Sequence, residues 1–327
     1  VGIFILPSLQ TMSAKVLLIR FSSIGDIVLT TPVIRCISQQ LDVEVHFLTK
    51  NSFKGILQHN PYITKLYGID KNVSEVISDL KTEYYDYIID LHKNLRTQEV
   101  KLRLGIKSYT FNKLNIAKWL KVNLKINQLP EKHIVDRYFE GIQGLNVIND
   151  GRGLDYFIST SDQEEAENIV KHINQYKVLV LGANYFTKRI PSSISSQIIL
   201  NSNKPIILLG GRDVSEEAIS LANEHPVKII NLVGRTSLAV SASIIKGSSE
   251  VHTGDTGLMH IAAAFKKQIH TYWGSTIPEF GMYAYLPTDM KKGIDHQVTN
   301  LSCRPCNKLG FDKCPKGHFK CMLNIKL

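Results

Sequence analysis

Short apolar, β-branched runs recur along this chain with helix-length stretches between them, and that alternation restricts the fold more than any other feature. Val16–Ile19, Val43–Leu48 and Tyr87–Leu91 read as strands in the first half. Val178–Leu181, Ile206–Leu209, Ile229–Val233, Glu250–Thr253 and Ile269–Trp273 read as strands in the second. Ile34, Ile37 and Leu41, then Ala166, Ile169, Val170 and Ile173, keep helical spacing. Such alternation predicts an α/β protein of doubly wound parallel sheets with helices on both faces. The 327 residues suffice for two such domains. The turn-rich Asn149-Asp-Gly-Arg-Gly153 is the expected boundary, and Ser161-Asp162-Gln163-Glu164 reads as a capping box opening the next helix. The expected units are 12–152, 153–300 and a Cys-rich basic tail over 301–327. Ligands are expected in a cleft between the domains, at the strand carboxyl ends.

No apolar run reaches the roughly 18 residues of a membrane span. Val1-Gly-Ile-Phe-Ile-Leu-Pro7 is apolar but lacks the basic flank and cleavage site of a signal peptide. Residues 1–11, ahead of Met12, are expected to be an upstream extension outside the fold. Five cysteines without a secretion signal suggest a reducing, cytoplasmic setting rather than a disulfide framework. The net charge of +10 is unevenly placed: Leu91–Ile126 holds nine Lys/Arg against Glu99 alone, and the last 37 residues hold eight against two Asp. This asymmetry points to an anionic partner (nucleic acid, membrane surface or phosphorylated glycolipid) or to a solvated surface.

The first strand, Lys15-Val-Leu-Leu-Ile-Arg20, runs through Phe-Ser-Ser-Ile-Gly25 into Asp26. A dinucleotide site would place several glycines at this turn so that phosphate could approach the backbone. One glycine and a carboxylate imply another role: Asp26 is a candidate general base, or a helix cap. Pro32 should kink the first helix or restart it, with Thr30 or Thr31 as a new N-cap.

The nucleotide signals lie in the second half. Gly254-Asp255-Thr256-Gly257-Leu258-Met259-His260 turns from a strand into an alanine-rich helix, with Asp255 or Thr256 as its cap. Free N–H groups, a hydroxyl and a close-approach glycine make an anion site, to which His260 adds a contact from the same face; the alternative is a plain capped helix with a half-buried histidine. Thr187 and Lys188 follow the strand Val178–Leu181, where lysine suits a diphosphate. Gly210-Gly211-Arg212-Asp213 ends another strand, and Asp213 is a candidate for a ribose contact or for the cap of a helix Val214–Ala222.

Four blocks in order, Val16-Leu-Leu-Ile-Arg-Phe-Ser-Ser-Ile-Gly-Asp-Ile-Val-Leu-Thr-Thr-Pro32, Gly182-Ala-(x)3-Thr187-Lys188-Arg-Ile-Pro191, Gly210-Gly-Arg-Asp213 and Asp255-Thr-Gly-Leu-Met-His260, resemble the heptosyltransferase family of glycosyltransferases over nearly the whole chain after Met12. The resemblance implies a GT-B fold, two Rossmann-like domains facing across a cleft, with the acceptor on the N-terminal domain and an ADP-heptose donor on the C-terminal one. It implies an inverting transfer to a lipopolysaccharide core acceptor, with no metal needed for the chemistry. Asp26 becomes the catalytic base, with Ser23 and Gly25 beside it on the acceptor side. Thr187, Lys188, Asp213, Asp255, Thr256, Gly257, Leu258 and His260 become the donor site. The chain departs from the pattern at Ile190, where many relatives carry Trp before the proline. Lys93 and Arg96, after the strand that ends in Asp90-Leu-His92, are the expected contacts to an anionic, lipid-linked acceptor. The basic window, with Tyr109, Phe111 and Trp119, is a candidate contact with the inner-membrane surface, or ordinary core packing.

Cys303-x2-Cys306-x7-Cys314-x6-Cys321, near His318, has spacing compatible with structural Zn²⁺ or an Fe–S cluster. It shows one Cys-x2-Cys knuckle where a zinc ribbon has two, and reduced structural thiols or local disulfides are the alternative. Two other functions share these features: transfer of a different nucleotide-linked sugar, and nucleic-acid binding by a basic Cys-rich protein. The resemblance favours a glycosyltransferase and no nucleic acid.

Overall fold

The computed structural model describes residues 13–327, so the expected extension over 1–11 lies outside the described residues. The first half contains β1 (Ala14–Ile19), α1 (Ile24–Val28), α2 (Thr31–Gln40), β2 (Val43–Lys50), β3 (Lys65–Ile69), α3 (Ile77–Thr82), β4 (Tyr87–Asp90), α4 (Leu95–Leu104), β5 (Ser108–Thr110), α5 (Asn115–Asn123) and α6 (Ile134–Gly141). The second contains α7 (Thr160–Val170), β6 (Lys177–Val180), α8 (Ser192–Leu200), β7 (Ile206–Leu209), α9 (Ser215–Glu224), β8 (Ile229–Asn231), α10 (Leu238–Gly247), β9 (Glu250–Gly254), α11 (Gly257–Ala264), β10 (Gln268–Trp273), β11 (Ile294–Gln297) and α12 (Lys320–Leu323).

Each half builds one sheet, ordered β3-β2-β1-β4-β5 and β11-β10-β9-β6-β7-β8, and every pairing is parallel. Parallel strands need crossovers, and the helices that supply them cover both faces. Alternate residues of β1 therefore enter different cores: Val16 and Leu18 pack with Ile34 and Tyr138, Leu17 and Ile19 with Leu80 and Val100. In β6, Val178 and Val180 face Ile244 and Ile261, while Leu179 and Leu181 face Ile194 and Met322. The first of these cores runs on from the N-terminal half into the C-terminal half.

Strand order reverses between β1 and β4 in one sheet and between β6 and β9 in the other. Loops leaving neighbouring strands diverge at such a point and open a crevice at the carboxyl ends. The turns after β1, β6 and β9 carry three of the four sequence blocks.

Of the two outcomes expected at Pro32 the restart is found, while other boundaries differ from expectation. The helix chain restarts at Pro32, in the first turn of α2, with Thr30 at the N-cap position. Ser159, not Ser161, caps α7, its hydroxyl accepting the Asp162 N–H at 3.1 Å. Strands β3, β5 and β11 are additional to those read from the sequence.

Candidate active site

Residues from both halves line a cleft of about 1090 Å³ between the two sheets. On the N-terminal side, α1 leaves the first switch point with Ser23 as its N-cap and Asp26 three residues in. The Asp26 carboxylate accepts the Ser23 N–H at 3.1 Å and the Ser23 hydroxyl at 2.8 Å. It also pairs with the Arg20 guanidinium. Burial alone would raise the Asp26 pKa, but Arg20 and the two Ser23 hydrogen bonds outweigh it and hold the carboxyl below its usual value. Asp26 is thus an anion within the cleft wall.

On the C-terminal side, Lys188 Nζ lies 2.7 Å from Asp255 Oδ2, which also accepts the Thr276 hydroxyl at 2.9 Å. The end of β9 presses against the lysine loop: a Cβ on Gly254 would sit 2.1 Å from the Lys188 carbonyl oxygen. Thr256 occupies the N-cap position of α11, but its hydroxyl meets Thr253 Oγ1 at 3.0 Å and does not cap the helix. With Asp255 also engaged elsewhere, no side chain caps the first-turn N–H groups. Uncapped N–H groups at the positive end of a helix dipole suit an anion. His260 is buried, and its Nδ1 has no hydrogen-bond partner. Burial pushes its pKa down to about 4 against the opposing pull of Asp255 and Asp26, so the ring is neutral at neutral pH.

The two walls touch where α1 meets α11. A Cβ on Gly25 would lie 2.5 Å from His260 Cδ2, and one on Gly257 would lie 2.8 Å from Ile24 Cγ2. Two glycines therefore let two helix starts meet, and the contact seats His260 against the turn that carries Asp26.

Ser23, Gly25, Asp26, Lys188, Asp213, Asp255, Thr256, Gly257, Leu258 and His260 all line this cleft. Asp213 does not cap a helix; its carboxylate pairs with Arg189 at the cleft margin. Thr187 is placed elsewhere. It is 1% exposed, its Oγ1 accepts the Phe311 N–H and the Ser275 hydroxyl at 2.8 Å each, and it donates to the Phe311 carbonyl. It clamps the C-terminal tail under the lysine loop and has no face on the cleft.

Lys93 and Arg96 are exposed and outside the cleft lining. Lys93 is turned away because its N–H closes a turn on Asp90 Oδ1 at 2.6 Å and its Nζ reaches the Phe111 carbonyl. The cations that do line the cleft are Arg20, Lys113, Lys118, Lys188, Arg189 and Lys308. Of the nine cations in the basic window, Lys113, just before α5, and Lys118, on α5, line the cleft. Burial, then Arg137 and Lys308, push the Lys118 ammonium down to about 8. His92, also on the cleft, is pushed down to about 4 by burial and by Arg20.

The four tail thiols lie near one another: Cys303 and Cys314 help to raise the Cys306 thiol, and Cys306, Cys314 and Cys303 help to raise that of Cys321, each behind burial as the larger cause. Cys303 Sγ lies 3.9 Å from His318 Nε2, Cys306 donates to the Cys303 carbonyl, and Cys314 Sγ accepts the Phe319 N–H. Cys321 is buried in the apolar cluster under α8. Local backbone contacts and core packing hold these residues, and among the described residues no three of their ligand atoms lie within 4.8 Å of one another. Among the described residues, the group whose ligand atoms converge within 4.8 Å is Glu250, His252 and His270.

The sequence model described as glycosyltransferase family 9 (heptosyltransferase) matches residues 73–308. The chain belongs to that family. Lipopolysaccharide heptosyltransferase 1 of Campylobacter coli is 24% identical over 292 residues, covering 80% of this chain and 84% of that one. The structure of Escherichia coli ADP-heptose lipopolysaccharide heptosyltransferase II superposes with a TM-score of 0.70 at 17% identity, over 95% of this chain and 97% of that one. E. coli heptosyltransferase WaaC with ADP gives 0.64 at 20% identity, over 90% and 95%. These likenesses establish the two-sheet GT-B fold, and the family makes the protein a glycosyltransferase. No described helix is long and apolar enough to cross a membrane.

Proposed function

We propose that the protein transfers a heptose from ADP-heptose to a lipopolysaccharide core acceptor, with inversion and with Asp26 as general base. The observation that carries this is the opposition across one cleft of an ionised carboxylate on the first half and a phosphate-type site on the second. The donor diphosphate would lie against Lys188 and the open start of α11, with His260 Nδ1 facing it and Asp213 near the ribose. Those groups neutralise charge as the ADP leaving group departs, so the transfer needs no metal. The acceptor hydroxyl attacks the anomeric carbon from the Asp26 side. Its proton becomes strongly acidic as the new C–O bond forms, so a carboxylate of low basicity takes it late in the step. Arg20 and Ser23 hold that carboxylate in one orientation.

Helix α5 supports an acceptor on a lipid. Asn115 and Lys118 line the cleft, while Ile116 and Trp119 are 78% and 56% exposed on the outside. Phe111 packs edge-on to Tyr138 at 4.7 Å and belongs to the core. Contact with the cytoplasmic membrane surface through Ile116, Trp119 and neighbouring lysines would bring the cleft to a lipid-linked glycan.

The test is transfer from synthetic ADP-heptose to a heptose-deficient core acceptor by wild type and Asp26→Asn. The substitution keeps the shape and removes the base. A loss of about 10²–10⁴-fold in kcat is expected, with ADP affinity unchanged. Full transfer by Asp26→Asn would reduce Asp26 to a helix cap. Stabilisation by UDP or GDP instead of ADP in a thermal shift would replace the donor with another nucleotide sugar.

A further inference from the structure

A second constellation lies on the C-terminal sheet, away from the cleft. Strands β9, β10 and β11 are neighbours, with His252 paired to His270 and Tyr272 to His296 in register. Side chains two apart on a strand share a face, so Glu250, His252, His270, Tyr272 and His296 project together. The rings of His252 and His270 stack at 4.6 Å.

Glu250 Oε1 lies 2.6 Å from His252 Nε2 and 3.4 Å from His270 Nε2. Both nitrogens are buried, and neither makes an aligned hydrogen bond, to Glu250 or to anything else. They are close to the carboxylate without being aimed at it. The outer atoms of the same groups are fully engaged. Lys177 Nζ holds Glu250 Oε2 at 2.9 Å. His252 Nδ1 meets the Tyr272 hydroxyl at 2.9 Å, and His270 Nδ1 meets His296 Nε2 at 2.9 Å. Metal-ligating histidines are oriented in this way, through the ring nitrogen that does not bind the ion.

We propose that Glu250, His252 and His270 form a site for a divalent transition-metal cation, of which Zn²⁺ suits the donors best. Two imidazoles and one carboxylate with a fourth position open to water is an established Zn²⁺ coordination set. Glu250 begins β9, whereas Asp255 follows its carboxyl end. At about 3.3 Å per residue the site lies roughly 16 Å from the donor turn. The ion would tie β9 to β10, the strand pair that presents Asp255 and Thr276, without touching substrate.

The experiment uses the full chain, stripped with chelator and titrated with Zn²⁺ against a chromophoric competitor, then with Co²⁺. One equivalent of Zn²⁺ is expected in wild type and in Cys303→Ser/Cys306→Ser. The affinity is expected to fall at least tenfold in His270→Gln and in Glu250→Gln, each checked for ADP binding as a sign of folding. Co²⁺-loaded wild type should show visible ligand-field bands without intense thiolate charge transfer, a readout that requires no variant. Absence of uptake would overturn the proposal. So would a thiolate charge-transfer spectrum, or binding lost in the cysteine variant and kept in His270→Gln.

Discussion

Asp26 carries most of the chemistry assigned to a single side chain, and its surroundings determine how activity should vary with pH. Arg20 and Ser23 lower its folded-state pKa, so the base form persists through the neutral range and is lost only as pH falls through that lowered value. Lys118 works in the opposite direction. Its ammonium, at about 8, is charged below that pH and discharges as pH rises through it. The expected profile has kcat at saturating acceptor flat from about pH 5 to pH 8, with no acid limb at the usual carboxylate value. The KM for an anionic acceptor should rise above about pH 8, because the lost charge belongs to binding and not to the chemical step. Lys118→Arg should remove that rise, since arginine stays protonated. An alkaline limb unchanged in Lys118→Arg would place the titrating group elsewhere. At this scale the sequence was most readable where chemistry is local. Asp26 and the Asp255–His260 turn each sit within one strand–turn–helix unit. Thr187 lies outside the cleft lining because its partners, Ser275 and Phe311, are distant in the chain and meet it only once folded.

Helix starts are the elements that bring the two walls together. Gly257 opens α11 and faces Ile24 of α1, where a methyl group has no room: Ile24 Cγ2, Ile24 Cβ and Gly25 N would all lie within 3.2 Å. Gly257→Ala should therefore cost about 1–3 kcal/mol by overpacking. It should also push His260 out of register with Asp26. Thermal unfolding should show the stability loss, and kcat should fall more than the ADP dissociation constant rises, because the displacement alters the relation between the walls. Equal effects on both would mean that the donor turn itself collapses. Inner strands such as β1, β6 and β7 were legible because burial on two faces makes them continuous apolar runs, and the edge strand β8 was legible through Ile229 and Ile230. Lys65–Ile69, Ser108–Thr110 and Ile294–Gln297 were not, since edge strands are short and tolerate polar residues. Ser161 matches a capping box because its hydroxyl lies three residues before Glu164, but the chain turns two residues earlier, at Ser159.

The cleft depends on how the two halves are held. Arg35 of α2, almost fully buried, donates to Asp150 Oδ1 and Oδ2 at 2.8 Å each, to the Gly153 carbonyl at 2.9 Å and to Asp155. It thereby fixes the connecting segment on the first half. Near Gly281 the chain returns to α6, where the Ile134 N–H donates to the Gly281 carbonyl at 2.8 Å and Arg137 to the Phe280 carbonyl at 3.2 Å. None of these pairings could be read from local sequence, and of the basic window Lys113 and Lys118 are the cations that line the cleft. Lys113→Ala/Lys118→Ala should accordingly raise the KM for an anionic acceptor by about tenfold or more, at roughly 1–2 kcal/mol for each lost charge-assisted contact. ADP affinity should change little, because the donor site proposed at Lys188 and the start of α11 lies on the opposite wall. Lys93→Ala/Arg96→Ala should leave the acceptor KM within about twofold of wild type, as expected of exposed side chains outside the site. Initial-rate kinetics with a soluble, phosphorylated core acceptor separates the two pairs. If the Lys93/Arg96 pair carried the larger effect, the acceptor would enter over β4 and not along α5, and the side of the cleft assigned to it would change.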